Sequence, residues 1–283
     1  MQYQSIIRIL NHCDIDCKFF DVAKAKKILA AEFSLAPRGI ISINGFDYTK
    51  NDVFNELEHV DFAKRLPIHI LIWRTPILLN LLEKNEEPSP EKGHEFSYYM
   101  NSRRVFSDFI SPYFAISLSK IIGRLLNEGK FETARCWQSE FYIIDNEIDR
   151  RTAMNSTRVY LTDFIRLLKN INDVTYKNHL PQLEKFFSQP WNSFVNYLPN
   201  QFYTITNELL SAMHNFTLII KHTDHELCLK MSQQMIEVRK IEPELRERIA
   251  REHDNFIGIE SLKRKPDDSQ VYCPVRTLKI IPR

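Results

Sequence analysis

Glycine is the residue this sequence uses least: six in 283 positions, about 2% against roughly 7% in ordinary proteins. That scarcity excludes the sites that glycines build. The chain has no G-x-G-x-x-G, no G-x-S-x-G and no G-x-x-x-x-G-K-[ST], so the standard dinucleotide fingerprint, the hydrolase nucleophile elbow and the P-loop are absent. The nearest approach is GRLLNEGKFETARCW, Gly123 to Trp137. It has five residues between its glycines and puts Phe131 where a magnesium-binding hydroxyl would stand. Gly129 instead reads as the left-handed residue that closes one helix before Phe131 and Ala134 begin the next.

Charge of one sign is also lacking. Lys and Arg number 38 against 36 Asp and Glu, and the two stay balanced along the chain. A protein built to neutralise many phosphates concentrates positive charge, so this balance argues against a dedicated nucleic-acid binder. The five cysteines, at 13, 17, 136, 228 and 273, are odd in number and scattered, which fits reduced thiols better than a disulfide framework. The apolar windows LPIHILIW and FAISLSKIIG are shorter than the ~18–20 apolar residues of a membrane span, and MQYQSIIRIL has no secretory-signal pattern. These features predict a cytoplasmic protein with no membrane partner.

What the sequence does have is helical periodicity. Phe114, Leu118, Ile121, Ile122 and Leu125 form one stripe, entered through Ser111 as N-cap and Pro112 as first residue. Trp137, Phe141, Ile144 and Ile148 form a second. Tyr160, Phe164, Leu167, Leu168 and Ile171 follow, then Ile205, Leu209, Met213, Phe216 and Ile220, then Leu227, Met231, Met235 and Val238. Each stripe must be buried against another, which predicts a mainly α protein built as a helical bundle.

The first 85 residues have a different texture. DVAKAKKILAAEF reads as a helix capped by Asp21, GIISINGF as strand, DYTKNDVFNELE as helix, and RTPILLNLLEKN as a helix with Thr75 as N-cap and Pro76 at its start. The predicted organisation is a small mixed α/β domain over 1–85, a linker at 86–94 within NEEPSPEKGHE, a bundle over 95–262 and an extended tail over 263–283. SQPWNSFVNYLPNQ reads as an irregular interruption of the bundle. The tail carries VYCPVRTLKIIPR, strand-like in composition, which would pair with IISIN or with another chain.

Four groups of residues invite chemistry. HNFTLIIKHTDHE holds His214, His222 and His225; on one continuous helix His214 would lie roughly 16 Å from His225, leaving only His222 and His225 as a candidate metal pair. Against it stands the reading of KHTDHE as a polar turn, with Asp224 near a helix start. HCDIDC offers Cys13 and Cys17 without the second pair that zinc usually requires. DNEIDRR and Glu140 supply carboxylates, but with Ile144 and Ile148 marking the buried face, Asp145, Glu147 and Asp149 read as solvated. HEFSYYMNSRRVFSDF interleaves Tyr98 and Tyr99 with Arg103 and Arg104, a pattern that can clamp an anion or stack single-stranded nucleic acid. EVRKIEPELRERIAREHD reads as a mixed-charge helix around Pro243, suited to solvent or to a partner.

No constellation is complete enough to imply a cofactor. The sequence therefore predicts a noncatalytic helical protein-interaction or assembly component, with a protein partner or a second copy of itself. The alternatives are a nucleic-acid- or nucleotide-binding protein using Tyr98, Tyr99, Arg103 and Arg104, and a metal-dependent enzyme around His222 and His225.

Overall fold

The computed structural model describes residues 2–88, 104–144, 146–187 and 191–263. Among them are fourteen α-helices and one two-stranded sheet, the mainly helical class with a small mixed N-terminal segment that the periodicity implied. The chain divides into two compact units, Met1–Asp163 and Phe164–Arg283. The strand-like reading of the tail falls on 264–283, outside the described residues.

In the first unit, α1 (Ile6–His12) and α2 (Val22–Leu35) precede a hairpin of β1 (Ile40–Ile43) and β2 (Phe46–Thr49), followed by α3 (Lys50–Leu57), α4 (Phe62–Arg74) and α5 (Pro76–Lys84). Asp21 caps α2 as expected, its carboxylate accepting the Lys24 N–H at 3.0 Å. The hairpin turns through Asn44 and Gly45, both with positive φ (52° and 82°), the conformation that two-residue hairpin turns require. Asp47 to Thr49 were expected to open a helix. They extend β2 instead, paired with β1 in the register Ile40 to Thr49, and α3 starts one residue later with Thr49 Oγ1 accepting the Asp52 N–H at 3.2 Å. Ile41 and Tyr48 face inward to join Leu10, Leu29, Phe33 and Val53 in the core.

Arg8 is the polar centre of that core. Its guanidinium makes a forked contact to the Glu83 carboxylate, donates to the Tyr48 hydroxyl at 3.0 Å, and lies 4.1 Å from the Phe46 ring centre. One side chain thereby ties α1, β2 and α5 together. Burial lowers the Arg8 pKa, but the hydrogen bonds and charges of Glu83 and Tyr48 outweigh it and hold the group more firmly protonated than usual.

Next come α6 (Arg104–Asn127), α7 (Phe131–Ser139), α8 (Glu147–Ala153) and α9 (Asn155–Asn170); the boundary between the units falls within α9. Three sequence readings are corrected here. Pro112 does not begin a helix but lies inside α6, and Ser111 is not a cap: its hydroxyl donates to Asp149 Oδ2 at 2.7 Å. Ile148 is 77% exposed, because a short 3-10 turn over Glu140–Ile143 breaks the helical phase that had put it on the buried face. Asp149, expected in solvent, is 8% exposed and packs where Ile148 was placed.

Gly129 closes α6 as expected. It has φ 74°, and its N–H donates to Leu126 O at 3.0 Å while Lys130 N–H donates to Leu125 O at 2.8 Å, the paired bonds of a Schellman motif. By length and composition Val105–Asn127 could also cross a membrane, although each shorter window had fallen below that threshold. In this fold Phe114, Leu118, Ile121 and Ile122 are fully buried within the unit.

The second unit holds α10 (Leu180–Phe187), α11 (Trp191–Asn196), α12 (Tyr203–Ile220), α13 (His225–Ile236) and α14 (Pro243–Lys263). The segment read as an irregular interruption contains α11, whose Trp191 is fully buried with its ring centre 5.1 Å from that of Phe186. The stripes on α12 and α13 are buried as expected at Leu209, Met213, Phe216, Ile220, Leu227, Met231 and Met235. Pro243 opens α14 rather than lying within it, because the chain leaves helical conformation between Glu237 and Glu242.

Candidate functional site

His69 interrupts the apolar run LPIHILIW, and a buried imidazole must find partners for both nitrogens. It finds them on two other elements. Its Nδ1 lies 3.0 Å from the Tyr3 hydroxyl, just before α1, and its Nε2 lies 3.0 Å from Glu56 Oε1 on α3. A carboxylate at Nε2 fixes the proton there, so Nδ1 accepts from the Tyr3 O–H. The result is a hydroxyl–imidazole–carboxylate chain in which Tyr3 and His69 are almost fully buried.

Arg65, one turn before His69 on α4, lies with its Nε 2.9 Å from the same Glu56 oxygen and its guanidinium carbon 4.8 Å from the Phe109 ring centre. Burial alone would raise the Glu56 pKa. The hydrogen bond from His69, with the charges of Arg65 and His59, prevails and lowers it. Tyr3 moves the other way: desolvation raises its pKa well above the ordinary phenol value, so it is a hydrogen-bond donor and not a nucleophile at neutral pH.

A cavity of about 190 Å³ opens against this chain, bordered by Gln2, Tyr3, Tyr48, Asp52, Glu56, His69 and Tyr113 among others. Across Arg65 and Tyr113 a second, more open depression of about 450 Å³ carries Lys64, Asp61 and Asp108. Lys64 is paired with Asp61 at 2.8 Å, which leaves that depression without a clear charge preference.

The residues singled out from the sequence fare differently. Tyr98, Tyr99 and Arg103 lie outside the described residues, and Arg104 is the first residue of α6. His222 sits in the turn after α12 and His225 opens α13, with Asp224 as the N-cap accepting the Leu227 N–H at 3.0 Å. The imidazole of His225 donates from Nε2 to the Phe256 carbonyl at 2.9 Å, which engages one of the nitrogens a metal would need. Among the described residues no group of three His, Cys, Asp or Glu side chains could hold a metal ion. Cys13 is pushed up to about 11, first by burial and then by the charges of Glu32 and Asp14.

A Ser–His contact that no motif suggested lies in the second unit: Ser232 Oγ is 2.8 Å from His253 Nδ1. Ser232 donates to the Leu229 carbonyl at 3.0 Å and so accepts from the imidazole. That polarity is the reverse of what activating a serine requires.

Tyr3, Glu56, Arg65 and His69 were also missed from the sequence. A signal was there: Arg65 and His69 are four apart on α4 and so share a face. Their partners are far away in sequence, and no spacing rule finds them.

No family model matches the chain, and neither a curated protein nor a solved structure matches it. The functional reading therefore rests on the geometry.

Proposed function

We propose that this chain is a noncatalytic helical assembly component that pairs with a second copy of itself through one end of its C-terminal unit. The observation that carries this reading is the exposure of Ile257 and Ile259 on α14, 48% and 44%. Ile219 on α12 is 43% exposed. It lies at the same end, because the Asp224 N–H donates to Ile220 O and His225 bonds the Phe256 carbonyl, both at 2.9 Å. Among the described residues, a side chain added at Gly258 would meet nothing within 4 Å.

Several polar side chains elsewhere among the described residues are engaged internally. His69, His225 and His253 each hold a partner within their own unit, and Arg8 is forked onto Glu83. A second copy suits the apolar helix end on two grounds: a two-fold contact buries the same residues on both chains, and a net charge of only +2 gives little repulsion between copies.

Native mass spectrometry of the untagged chain at low salt tests the reading. A species at twice 33.6 kDa with no bound nucleic acid or metal is expected. A monomer carrying a nucleotide, nucleic acid or metal ion would replace this reading with one of the alternatives, and a complex with another protein would make the partner a different chain.

A further inference from the structure

Three histidines sit on α12, α13 and α14, and they differ in what a second proton does to them. His225 on α13 donates from Nε2 to the Phe256 carbonyl of α14 at 2.9 Å, and His253 on α14 donates from Nδ1 to the Ser232 hydroxyl of α13 at 2.8 Å. Both rings keep these bonds when protonated, because a charged imidazole is a donor at each nitrogen. His214 on α12 has no such arrangement. It is 7% exposed, and among the described residues its buried Nδ1 has no hydrogen-bond partner.

Leu210 and Thr217, on the same face of α12, are wholly buried as well. The charged groups that face His214 are Arg248 and Glu252, one turn apart on α14; among the described residues α13 supplies none that shifts it. Burial pulls the imidazole below its ordinary pKa of 6.5, Arg248 lowers it further, and Glu252 opposes them.

Neutral His214 leaves Nδ1 a bare acceptor. A proton there makes a charged donor with nothing to bond, beside the fixed positive charge of Arg248. A buried charge without a partner costs far more than a buried neutral group. The ring can therefore take the proton only by turning toward water, and that movement parts α12 from α14.

We propose that His214 is an acid-operated latch between α12 and α14: neutral, it holds α14 in place, and protonated, it releases it. The folded state disfavours the proton, so docking is at full strength above pH 6.5 and weakens as pH falls below that value. Because α14 also carries Ile257 and Ile259, acid unmakes the pairing face proposed above. That consequence rests on the assembly reading, whereas the latch itself does not.

The test is hydrogen exchange of the α14 amides in the full chain between pH 7.5 and pH 5.5, read by mass spectrometry and corrected for the pH dependence of exchange itself. Protection should fall about three- to tenfold over that range, the scale of one linked proton. His214→Leu should flatten the profile. Arg248 is exposed and Glu252 half-buried, so their substitutions read the latch even if His214→Leu loosens the fold: Arg248→Gln should make the fall smaller and Glu252→Gln larger. The same fall is expected in the Ile257→Glu/Ile259→Glu background, where pairing is removed. Constant protection in the wild type would overturn the proposal. So would a fall that persists in His214→Leu, one that neither Arg248→Gln nor Glu252→Gln moves, or one that vanishes when pairing is removed.

Discussion

Ser111 Oγ donates a 2.7 Å hydrogen bond to Asp149 Oδ2, joining α6 to α8 between two side chains that are both almost wholly buried. The Asn146 amide donates to the same carboxylate oxygen, and Asn146 Oδ1 accepts the Asp149 N–H at 2.7 Å. Asp149→Ala removes the shared acceptor and leaves the buried Ser111 hydroxyl unmatched, while the exposed Asn146 amide turns to solvent. It should destabilise the fold by about 1.5–3 kcal/mol, read as a lower urea midpoint, whereas Asp149→Asn, which keeps an oxygen, should cost less. Equal midpoints for Asp149→Ala and the wild type would mean that this carboxylate is not a joint.

Gly123 on α6 is forced by proximity rather than by backbone angle. A Cβ placed there would come 2.8 Å from Ser156 Cβ and 3.1 Å from its Oγ, and Ser156 itself shares a 2.9 Å hydrogen bond with Ser119. Gly123→Ala should therefore cost about 1–3 kcal/mol by overpacking. In the double variant with Ser156→Gly the two effects should be less than additive, since the second change clears the space the first needs. Additive losses would place the strain elsewhere.

Acid should act through Glu56. Its folded pKa lies below the ordinary 4.5, so its contribution to stability is fully present above pH 4.5 and is lost as pH falls through the folded value. The stability gap between wild type and Glu56→Gln, followed by urea unfolding from pH 7 to pH 3, should stay constant down to about pH 5 and then narrow. A gap that widens in acid would contradict the His69 and Arg65 contacts.

Thiol chemistry should follow burial. Cys228 is pushed up to about 12, chiefly by desolvation and then by the charges of Asp224 and Glu252, and Cys13 to about 11, while Cys136 is exposed. At pH 7.5 a pKa near 11 leaves roughly one Cys13 thiol in a few thousand as the reactive thiolate. Brief iodoacetamide treatment of the native chain, mapped by mass spectrometry, should label Cys136 well ahead of Cys13 and Cys228. Rapid labelling of Cys13 would contradict the burial that holds its thiol protonated.

Much of this architecture was legible in the sequence, and the failures have physical causes. The helical stripes on α12 and α13, the Asp21 cap and the Gly129 closure depend on local periodicity or on a single backbone angle, which nearby residues determine. The inversion at Ile148 and Asp149 arose because periodicity was carried across a break; a 3-10 turn of four residues is enough to rotate everything after it. Pro112 looked like a helix start because an N-terminal proline is the commoner case, yet α6 has the packing to hold it internally. The Tyr3–His69–Glu56 chain was illegible for a different reason. It joins residues 66 and 13 positions apart, and only the burial of His69 in an apolar run hinted that partners must exist.

The most direct test of the assembly reading is sedimentation equilibrium of the full chain from about 1 to 100 μM, beside the Ile257→Glu/Ile259→Glu double variant. Both substitutions fall on exposed positions, so circular dichroism and thermal unfolding should match the wild type. The account predicts a mass rising toward twice 33.6 kDa for the wild type and a monomer for the variant. A wild-type chain that stays monomeric across the range, or a variant that dimerises equally well, would contradict it.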